Sequence, residues 1–244
     1  MSRHSKWSKI KHQKGTEDAK RGVIFTRLAK VITLAAREGG PDPKMNFKLR
    51  LAIEAAREEN LPKDNVERAI EKGAGKDSGA KIEEVQYEGF LPGGVVIIIE
   101  SLTDNRNRTS GEIKHFLDKS GGSLGAQNSV TWMFKRAGIV RIGKEASSRG
   151  DDFELQLIEH GAEDIKNENG DTVIFTKPED LQKIRVWLEE QKINPNYTGL
   201  EWEAKEKIKI DDPSLKERLE EIFEKIEESE EVNDYYTNIE DSSL

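Results

Sequence analysis

The spacing of apolar residues predicts a helical first third of the chain. From about Thr16 apolar residues recur every three or four positions, and Gly39-Gly40-Pro41 ends the pattern. Two shorter helices are predicted over 45–59 and 62–70, the second opened by proline and closed by glycines. Residues 1–78 are therefore predicted to form an all-α domain of three helices.

Beyond this region the period becomes two, which predicts strands alternating with helices. Between 138 and 203 the predicted order is βαββαβ, the order of a ferredoxin-like domain. The predicted elements are strands 83–91 and 94–102, helix 107–119, strands 130–134 and 138–142, helix 148–160, strands 162–166 and 171–176, helix 178–191, strand 196–203, helix 213–229 and strand 232–239.

The first α/β module lacks a helix and a strand, and the C-terminal segment is the simplest source of both. We therefore predict an α+β fold in which the three-helix domain precedes two ferredoxin-like α/β domains, one inserted in the other. The first α/β domain would comprise 79–134 and 206–244, and the inserted domain 135–205.

Composition narrows the class of protein. Hydrophobic residues make up 34% of the chain and charged residues 35%. No apolar run approaches the ~20 residues of a membrane span, and no apolar segment follows the basic N-terminus as in a secretory signal. The chain has no cysteine, which excludes disulfides and thiol catalysis. We expect a cytoplasmic protein without membrane contact.

Charge is distributed unevenly along the chain. The net charge is −8, yet the first 37 residues hold ten basic and two acidic residues, a local charge of +8. Residues 82–244 hold twenty basic and thirty-six acidic residues, or −16. Such asymmetry is typical of a protein that binds a dense polyanion through one end. Phosphate backbones fit, because each bound cation releases condensed counterions.

Three groups of residues are candidates for this binding. The N-terminal arm interleaves cations with an aromatic residue, a pattern that suits phosphates and an unpaired base. Its alternative interpretation is a solvated tail. The predicted first helix carries a basic stripe, which equally describes any surface helix. The third group surrounds the start of the third helix, where capping and charge pairs within the helix are the alternative. The candidates are His4, Lys6, Trp7, Lys9, Lys11, His12 and Lys14; Lys20, Arg21, Arg27 and Lys30; and Lys63, Asn65, Arg68 and Lys72.

Other motifs favour structural interpretations. TDNRNRTSGEIKH (103–115) suits helix capping better than a metal site or phosphate binding by Arg106 and Arg108 at the helix start. The four histidines show no zinc spacing, and no catalytic serine, Walker or dinucleotide motif occurs. We therefore expect no cofactor, no metal, no catalytic residue and no enzymatic activity; a nuclease using His4 or His12 is a minor alternative. Residues 132–134 are interpreted as strand and core packing.

Five segments in order resemble the YebC family of bacterial and organellar gene-expression factors. They cover most of residues 3–140: HSKWSKIKHQK, DAKRGVIFTRL, LPKDNVERAIEKGAG, YEGFLPGGVVIIIESLTDNRNRT and GGSLGAQNSVTWMF. The resemblance implies three domains, two of them α/β with one inserted in the other. Asn128 stands where the family usually has glycine, and asparagine tolerates a positive φ at such a turn.

The resemblance implies a regulator of gene expression, with two candidate targets. Family members are labelled probable transcriptional regulators that bind DNA; a mitochondrial relative activates translation of cytochrome c oxidase, and some bacterial members assist ribosomes on proline-rich stretches. We favour ribosomal RNA and the ribosome, because no predicted helix clusters Arg, Asn and Gln for major-groove reading. A third alternative is a protein-interaction adaptor acting through the glutamate-rich segment 220–231. We expect a monomer.

Overall fold

The computed structural model describes residues 17–76, 81–143, 150–168 and 170–240. The chain divides into two compact units, one formed by 1–133 with 204–244 and the other by 134–203. The predicted helical domain and first α/β domain thus lie in one unit, and the division into three domains stays a prediction.

The elements follow the predicted order with small shifts at their ends, except that residues 130–133 form no strand and the short strand Ser123–Leu124 is not among the predicted elements. They are α1 (Glu17–Gly39), α2 (Phe47–Glu58), α3 (Lys63–Glu71), β1 (Glu83–Phe90), β2 (Val96–Thr103), α4 (Arg106–Lys119), β3 (Ser123–Leu124), β4 (Phe134–Ile142), α5 (Asp151–Glu159), β5 (Ala162–Glu168), β6 (Asp171–Thr176), α6 (Leu181–Glu190), β7 (Tyr197–Ala204), α7 (Pro213–Glu228) and β8 (Val232–Thr237).

The helices α1, α2 and α3 pack around a small apolar core that includes the fully buried Ile32, Leu49 and Ala56. Asn46 fixes the turn before α2. Its Oδ1 accepts a hydrogen bond from the Leu49 N–H at 3.1 Å, and its amide donates to the Ala35 carbonyl at 2.7 Å. This N-cap satisfies an amide at the helix start and ties α2 to α1.

In the first unit a four-stranded sheet with the order β3-β1-β2-β8 packs against α4 and α7. Strand β8 pairs antiparallel with β2, so the C-terminal segment does return to complete this sheet. Ile97, Ile99, Leu117 and Phe223 are almost fully buried in its core. Burial of each such side chain stabilises the fold by about 1.5–3 kcal/mol.

The second unit has the chain order βαββαβ and the sheet order β5-β6-β4-β7, as in a ferredoxin-like fold. Helices α5 and α6 cover one face of its sheet, where Phe153 stacks on Trp187 with ring centroids 5.6 Å apart. The first unit also has one sheet layer and one helix layer, but its chain begins with the hairpin of β1 and β2 and follows the order ββαβαβ. The predicted α+β fold is confirmed.

One predicted strand is wrong. Thr131–Met133 form a 3-10 turn, and β4 begins only at Phe134. The buried carboxylate of Glu88 accepts hydrogen bonds from the Val130 and Thr131 N–H groups at 2.7 and 2.8 Å, so these amides are unavailable to a sheet. Asn128, in the preceding turn, has φ +63°, the positive value expected at that position.

Candidate nucleic-acid interface

The end of α3 lies very close to α1. A Cβ built on Gly73 would stand 2.3 Å from the Thr33 carbonyl oxygen and 2.8 Å from the Ala36 Cβ. The Thr33 hydroxyl also donates to the Ala69 carbonyl at 3.1 Å. The two helices can approach this closely because Gly73 has no side chain, and the contact holds the end of α3 against Thr33 and Ala36 of α1.

As a result, cations from distant parts of the sequence share one cleft of about 610 Å³. The cleft is lined by residues of α1, of α3, of the start of α4 and of the segment before β8. Four of the binding residues predicted from the sequence line this cleft: Lys30, Asn65, Arg68 and Lys72. Apolar and hydroxyl side chains complete it, among them Phe25, Thr26, Ala29 and Ile82.

Helix α3 and the turn that follows it supply two exposed cations of the cleft. The guanidinium of Arg68 donates to the Asn65 side-chain oxygen and, at 3.2 Å, to the Asp64 carbonyl, which leaves it on the surface. Lys72 is exposed and forms no ion pair with another described residue. Lys63, the fourth predicted residue of this group, is exposed and pairs with Glu67 at 3.3 Å. Arg68 and Lys72 are therefore available to an anionic ligand.

The opposite wall of the cleft pairs its cations with carboxylates. Arg108 Nη2 lies 2.8 Å from both Asp104 Oδ1 and Glu231 Oε1. Lys30 Nζ lies 3.5 Å from Glu231 Oε1 and donates to the Glu230 carbonyl at 3.0 Å. Glu231 thus lies between two cations and pairs with both.

The pKa values of these carboxylates reflect the pairing. Burial tends to raise the pKa of Glu231, but Lys30, Thr103 and Arg108 outweigh it and hold the pKa below its ordinary value. The hydrogen bond from Arg108 likewise lowers the pKa of Asp104. Both groups are therefore ionised at neutral pH, and the wall is a compact network of opposite charges.

Arg27 departs from the predicted basic stripe. Its side chain is buried, and its guanidinium donates to the carbonyl oxygens of Ile226, Glu227 and Ser229 at 3.2, 2.5 and 2.6 Å. Desolvation by burial lowers the pKa of Arg27, although Asp234 opposes this change. Arg27 therefore caps the C-terminal end of α7. The end of α7 covers this face of α1, so the Arg27 side chain is unavailable to a nucleic acid.

The two other predicted residues of α1 lie at its exposed start. Lys20 lines a different, smaller cavity of about 170 Å³ beside the end of α7. The Arg21 guanidinium lies 5.6 Å from the ring centroid of Phe25, a residue of the cleft. The predicted arm residues lie outside the described residues: His4, Lys6, Trp7, Lys9, Lys11, His12 and Lys14.

The motif at residues 103–115 caps a helix, as predicted. Asn105 Oδ1 accepts from the Arg108 N–H at 3.1 Å and caps α4. The Arg108 side chain also reaches the cleft, a position compatible with the alternative interpretation that arginines at this helix start bind phosphate. The sequence predictions did not include Asp104 and Glu231 as residues of a binding site.

Neither a metal cluster nor a membrane span emerges from the described ranges. No group of three or more His, Asp or Glu residues is placed to hold a metal ion there. Within the same ranges, no helix combines the length and apolar character needed to cross a bilayer.

Comparisons with known proteins agree over almost the whole chain. The TACO1/YebC N-terminal domain model matches residues 5–76, and the model of the TACO1/YebC second and third domain matches residues 82–239. A probable transcriptional regulatory protein of Caldanaerobacter subterraneus is 45% identical over 98% of both chains. One of Halothermothrix orenii is 44% identical over 98% of this chain and 94% of its own.

A solved structure supports the same assignment. The crystal structure of a conserved hypothetical protein from Aquifex aeolicus superposes with a TM-score of 0.82 at 38% identity, covering 96% of each chain. Because the family models and full-length relatives span both compact units, the chain belongs to the TACO1/YebC family.

Proposed function

We propose that this protein is a non-enzymatic regulator of gene expression that binds RNA on the ribosome and supports translation. The observation that carries the proposal is the cleft, where Arg68 and Lys72 form no ion pair with a described carboxylate, while Lys30 and Arg108 pair with Asp104 and Glu231. Together with the basic N-terminal segment, it gives one end of an acidic chain a concentration of cations. Cations on a concave surface with apolar and hydroxyl groups suit a folded or partly unstacked RNA backbone.

The shape of the candidate interface favours RNA over a duplex DNA site. Sequence-specific DNA binding commonly places a helix rich in Arg, Asn and Gln in the major groove. Helix α3 carries Asn65 and Arg68, but the Asn65 side-chain oxygen already accepts from Arg68, and both residues line a cleft. They are therefore better placed to hold phosphates and sugars than to read base edges along a groove.

Co-sedimentation with 70S ribosomes over a salt series tests the proposal. The variant Arg68→Glu/Lys72→Glu reverses the exposed charges of the cleft. Its matched control is Lys177→Glu/Lys183→Glu, which makes the same charge change at exposed positions of the second unit. We expect wild type and the control to bind, and the cleft variant to lose binding at moderate salt. Equal binding of all three proteins would contradict a role for the cleft.

A second measurement gives the size of the effect. If both cations contact phosphates, neutralising them as Arg68→Gln/Lys72→Gln lowers the slope of log K against log salt by about 1.4 for single-stranded RNA. An unchanged slope would place the phosphate contacts elsewhere.

The names of the relatives favour a second candidate, a DNA-binding transcriptional regulator. This function requires a preference for one DNA sequence over random DNA by about 10³ or more at physiological salt. Selection from a random duplex library followed by titration distinguishes the two. Recovery of one motif with that preference would support transcription, and salt-sensitive binding without preference would favour the ribosome.

The third candidate, an adaptor that acts through the glutamate-rich segment 220–231, makes a different prediction. It requires the activity to survive Arg68→Glu/Lys72→Glu and to fail when exposed glutamates of α7 are neutralised. A translation assay on a message encoding a proline-rich stretch compares both variants directly.

The non-enzymatic part of the proposal is tested by incubating labelled RNA and DNA with the protein, with and without magnesium, and we expect both nucleic acids to stay intact.

A further inference from the structure

Trp132 is a large exposed aromatic residue in a well-held turn. Its side chain is 67% exposed, whereas the hydrophobic run of residues 132–134 predicts a core strand. Met133 and Phe134 follow it into the start of β4, and Phe134 is buried. A single exposed apolar residue is normal on a protein surface. Trp132 differs from such a residue because hydrogen bonds hold both its ring and its turn in place.

The ring of Trp132 is held in one orientation. Its indole Nε1–H donates to the Ser129 carbonyl oxygen at 3.0 Å, which closes the side chain back on its own turn. Its own carbonyl oxygen accepts a hydrogen bond from Lys205 Nζ at 2.7 Å. The indole hydrogen bond fixes the ring, and the lysine bond places an exposed cation at the backbone of the same residue.

The turn that carries Trp132 is anchored to the sheet. Glu88 accepts from the Asn128, Val130 and Thr131 N–H groups at 2.6, 2.7 and 2.8 Å. Gln86 Nε2 donates to the Thr131 hydroxyl at 2.8 Å. Three hydrogen bonds to backbone amides and one to a side-chain hydroxyl therefore hold the turn from which Trp132 projects, and little conformational entropy remains to be lost when a ligand binds it.

A second partly exposed aromatic residue borders the same turn. Phe90, at the end of β1, is 41% exposed. A Cβ built on Gly125 would lie 3.2 Å from Phe90 Cε2 and 2.3 Å from Ser129 Oγ, so Gly125 lies against both residues. Gly125 thus lies between Phe90 and Ser129, and the Ser129 carbonyl oxygen accepts the hydrogen bond from the Trp132 ring.

We propose that Trp132 is a stacking site for an unpaired nucleobase, with Lys205 beside the neighbouring phosphate. The inference rests on the proposed function, because it requires that the chain bind RNA. An aromatic face with an adjacent cation is the arrangement by which proteins hold single-stranded nucleic acid without reading its sequence. The groups that hydrogen-bond to Trp132 and to its turn are polar: Lys205, Gln86 and the Ser129 carbonyl oxygen. They suit one flat base better than the broad apolar core of a protein interface.

Fluorescence anisotropy with a labelled single-stranded RNA and a blunt-ended RNA duplex tests the site. Stacking on a base is worth about 1–3 kcal/mol by alanine substitution, so Trp132→Ala should weaken single-strand binding about 5- to 150-fold. Trp132→Phe keeps an aromatic face and should restore most of the affinity. Binding of the duplex should change by less than about twofold. Met45→Ala, at another exposed apolar residue, is the matched control and should bind like wild type.

Two further readouts separate stacking from a structural role. Quenching of tryptophan fluorescence by single-stranded RNA should be smaller in Trp132→Phe than in wild type, because the stacked indole is gone. Lys205→Gln should lower the slope of log K against log salt by about 0.7, the value for one contact to single-stranded RNA. Thermal unfolding of each variant checks that the fold is intact.

The outcomes distinguish this inference from the function on which it rests. If wild type binds neither RNA, the proposed function fails and the stacking site fails with it. If wild type binds single-stranded RNA and Trp132→Ala binds equally well, only the stacking site is overturned. Trp132→Ala that keeps its RNA affinity but loses binding to ribosomes would assign the ring to a protein contact, which also overturns the inference.

Discussion

The guanidinium of Arg27 donates two hydrogen bonds to the Ser229 carbonyl oxygen, from Nε at 3.0 Å and from Nη2 at 2.6 Å. Nη2 also reaches the Ile226 and Glu227 carbonyls, so one side chain satisfies the C-terminal end of α7. The last carbonyl groups of a helix lack partners within the helix. Arg27 therefore joins the N-terminal helix to the last helix of the chain.

We predict that Arg27→Ala lowers the free energy of unfolding by about 2–3 kcal/mol, because buried carbonyl groups lose a charged donor. Arg27→Lys should recover only part of this, since an ammonium cannot reproduce the planar fork of donors. Urea unfolding at neutral pH measures both. Arg21→Ala, exposed on the same helix, is the control and should change stability by less than about 0.5 kcal/mol. Equal effects at the two positions would contradict the capping role.

A second prediction concerns the close approach of α3 to α1. Gly73→Ala places a methyl group 2.3 Å from the Thr33 carbonyl oxygen, and neither backbone can yield cheaply. We expect a loss of about 1–3 kcal/mol, the usual cost of overpacking, together with weaker RNA binding as Arg68 and Lys72 move. Gly22→Ala in α1 meets nothing within 4 Å and should be neutral or slightly stabilising. Thermal unfolding and RNA titration of both variants provide the check.

Sequence periodicity predicted the elements because their cores are regular. In α1 the residues Leu28, Ile32 and Ala36 are all buried, as a helical period places them. The same reasoning placed Arg27 on the solvent side and was wrong. A helical wheel records one apolar face, whereas α1 is covered by α2 and α3 on one side and by the end of α7 on another.

The cleft and the Trp132 turn depend on contacts that no local pattern contains. Arg108 lies 123 residues from Glu231 along the chain, yet the two side chains pair at 2.8 Å. The strand predicted over 130–134 failed because Glu88, more than 40 residues earlier, accepts the hydrogen bonds of those amides. Both features follow from the return of β8 to the sheet and from the packing of the turn on β1.

A third prediction follows from the buried carboxylate of Glu88. Burial tends to raise its pKa, but hydrogen bonds from Val130, Thr131 and Asn128 outweigh this effect, and the pKa lies below its ordinary value. A lowered pKa means that the ionised form stabilises the fold above the unfolded-state value of about 4.3 and that this contribution is lost as the pH falls through the folded-state value. Glu88→Gln should therefore be less stable than wild type at pH 7.

The difference in unfolding free energy between Glu88→Gln and wild type, about 1–3 kcal/mol at pH 7, should shrink as the pH falls below about 4. Urea unfolding at several pH values measures it, with Glu84→Gln, an exposed residue of the same strand, as the control. A difference that does not change with pH would show that Glu88 acts through shape alone. Loosening of the turn should also lower the affinity for single-stranded RNA.

The last prediction uses the position of Glu231 between two cations of the cleft. Glu231→Gln removes the charge that faces Lys30 and Arg108 and leaves Arg108 paired with Asp104 alone, so that a phosphate can bind between the two cations. We expect single-stranded RNA to bind about three- to tenfold more tightly, which corresponds to roughly 0.7–1.4 kcal/mol. The slope against log salt should rise by about 0.7 for each new contact.

Glu228→Gln, an exposed residue at the end of α7 outside this cleft, makes the same change in net charge and is the control. If both variants gain affinity equally, the effect comes from net charge and Glu231 has no special position. If Glu231→Gln alone gains, the carboxylate competes with RNA phosphates for the same cations. The variant should lose some stability at neutral pH, because the lowered pKa of Glu231 marks its ionised form as the one that the fold favours. Tighter RNA binding by a less stable variant would show that the Glu231 carboxylate stabilises the fold and weakens the binding of RNA.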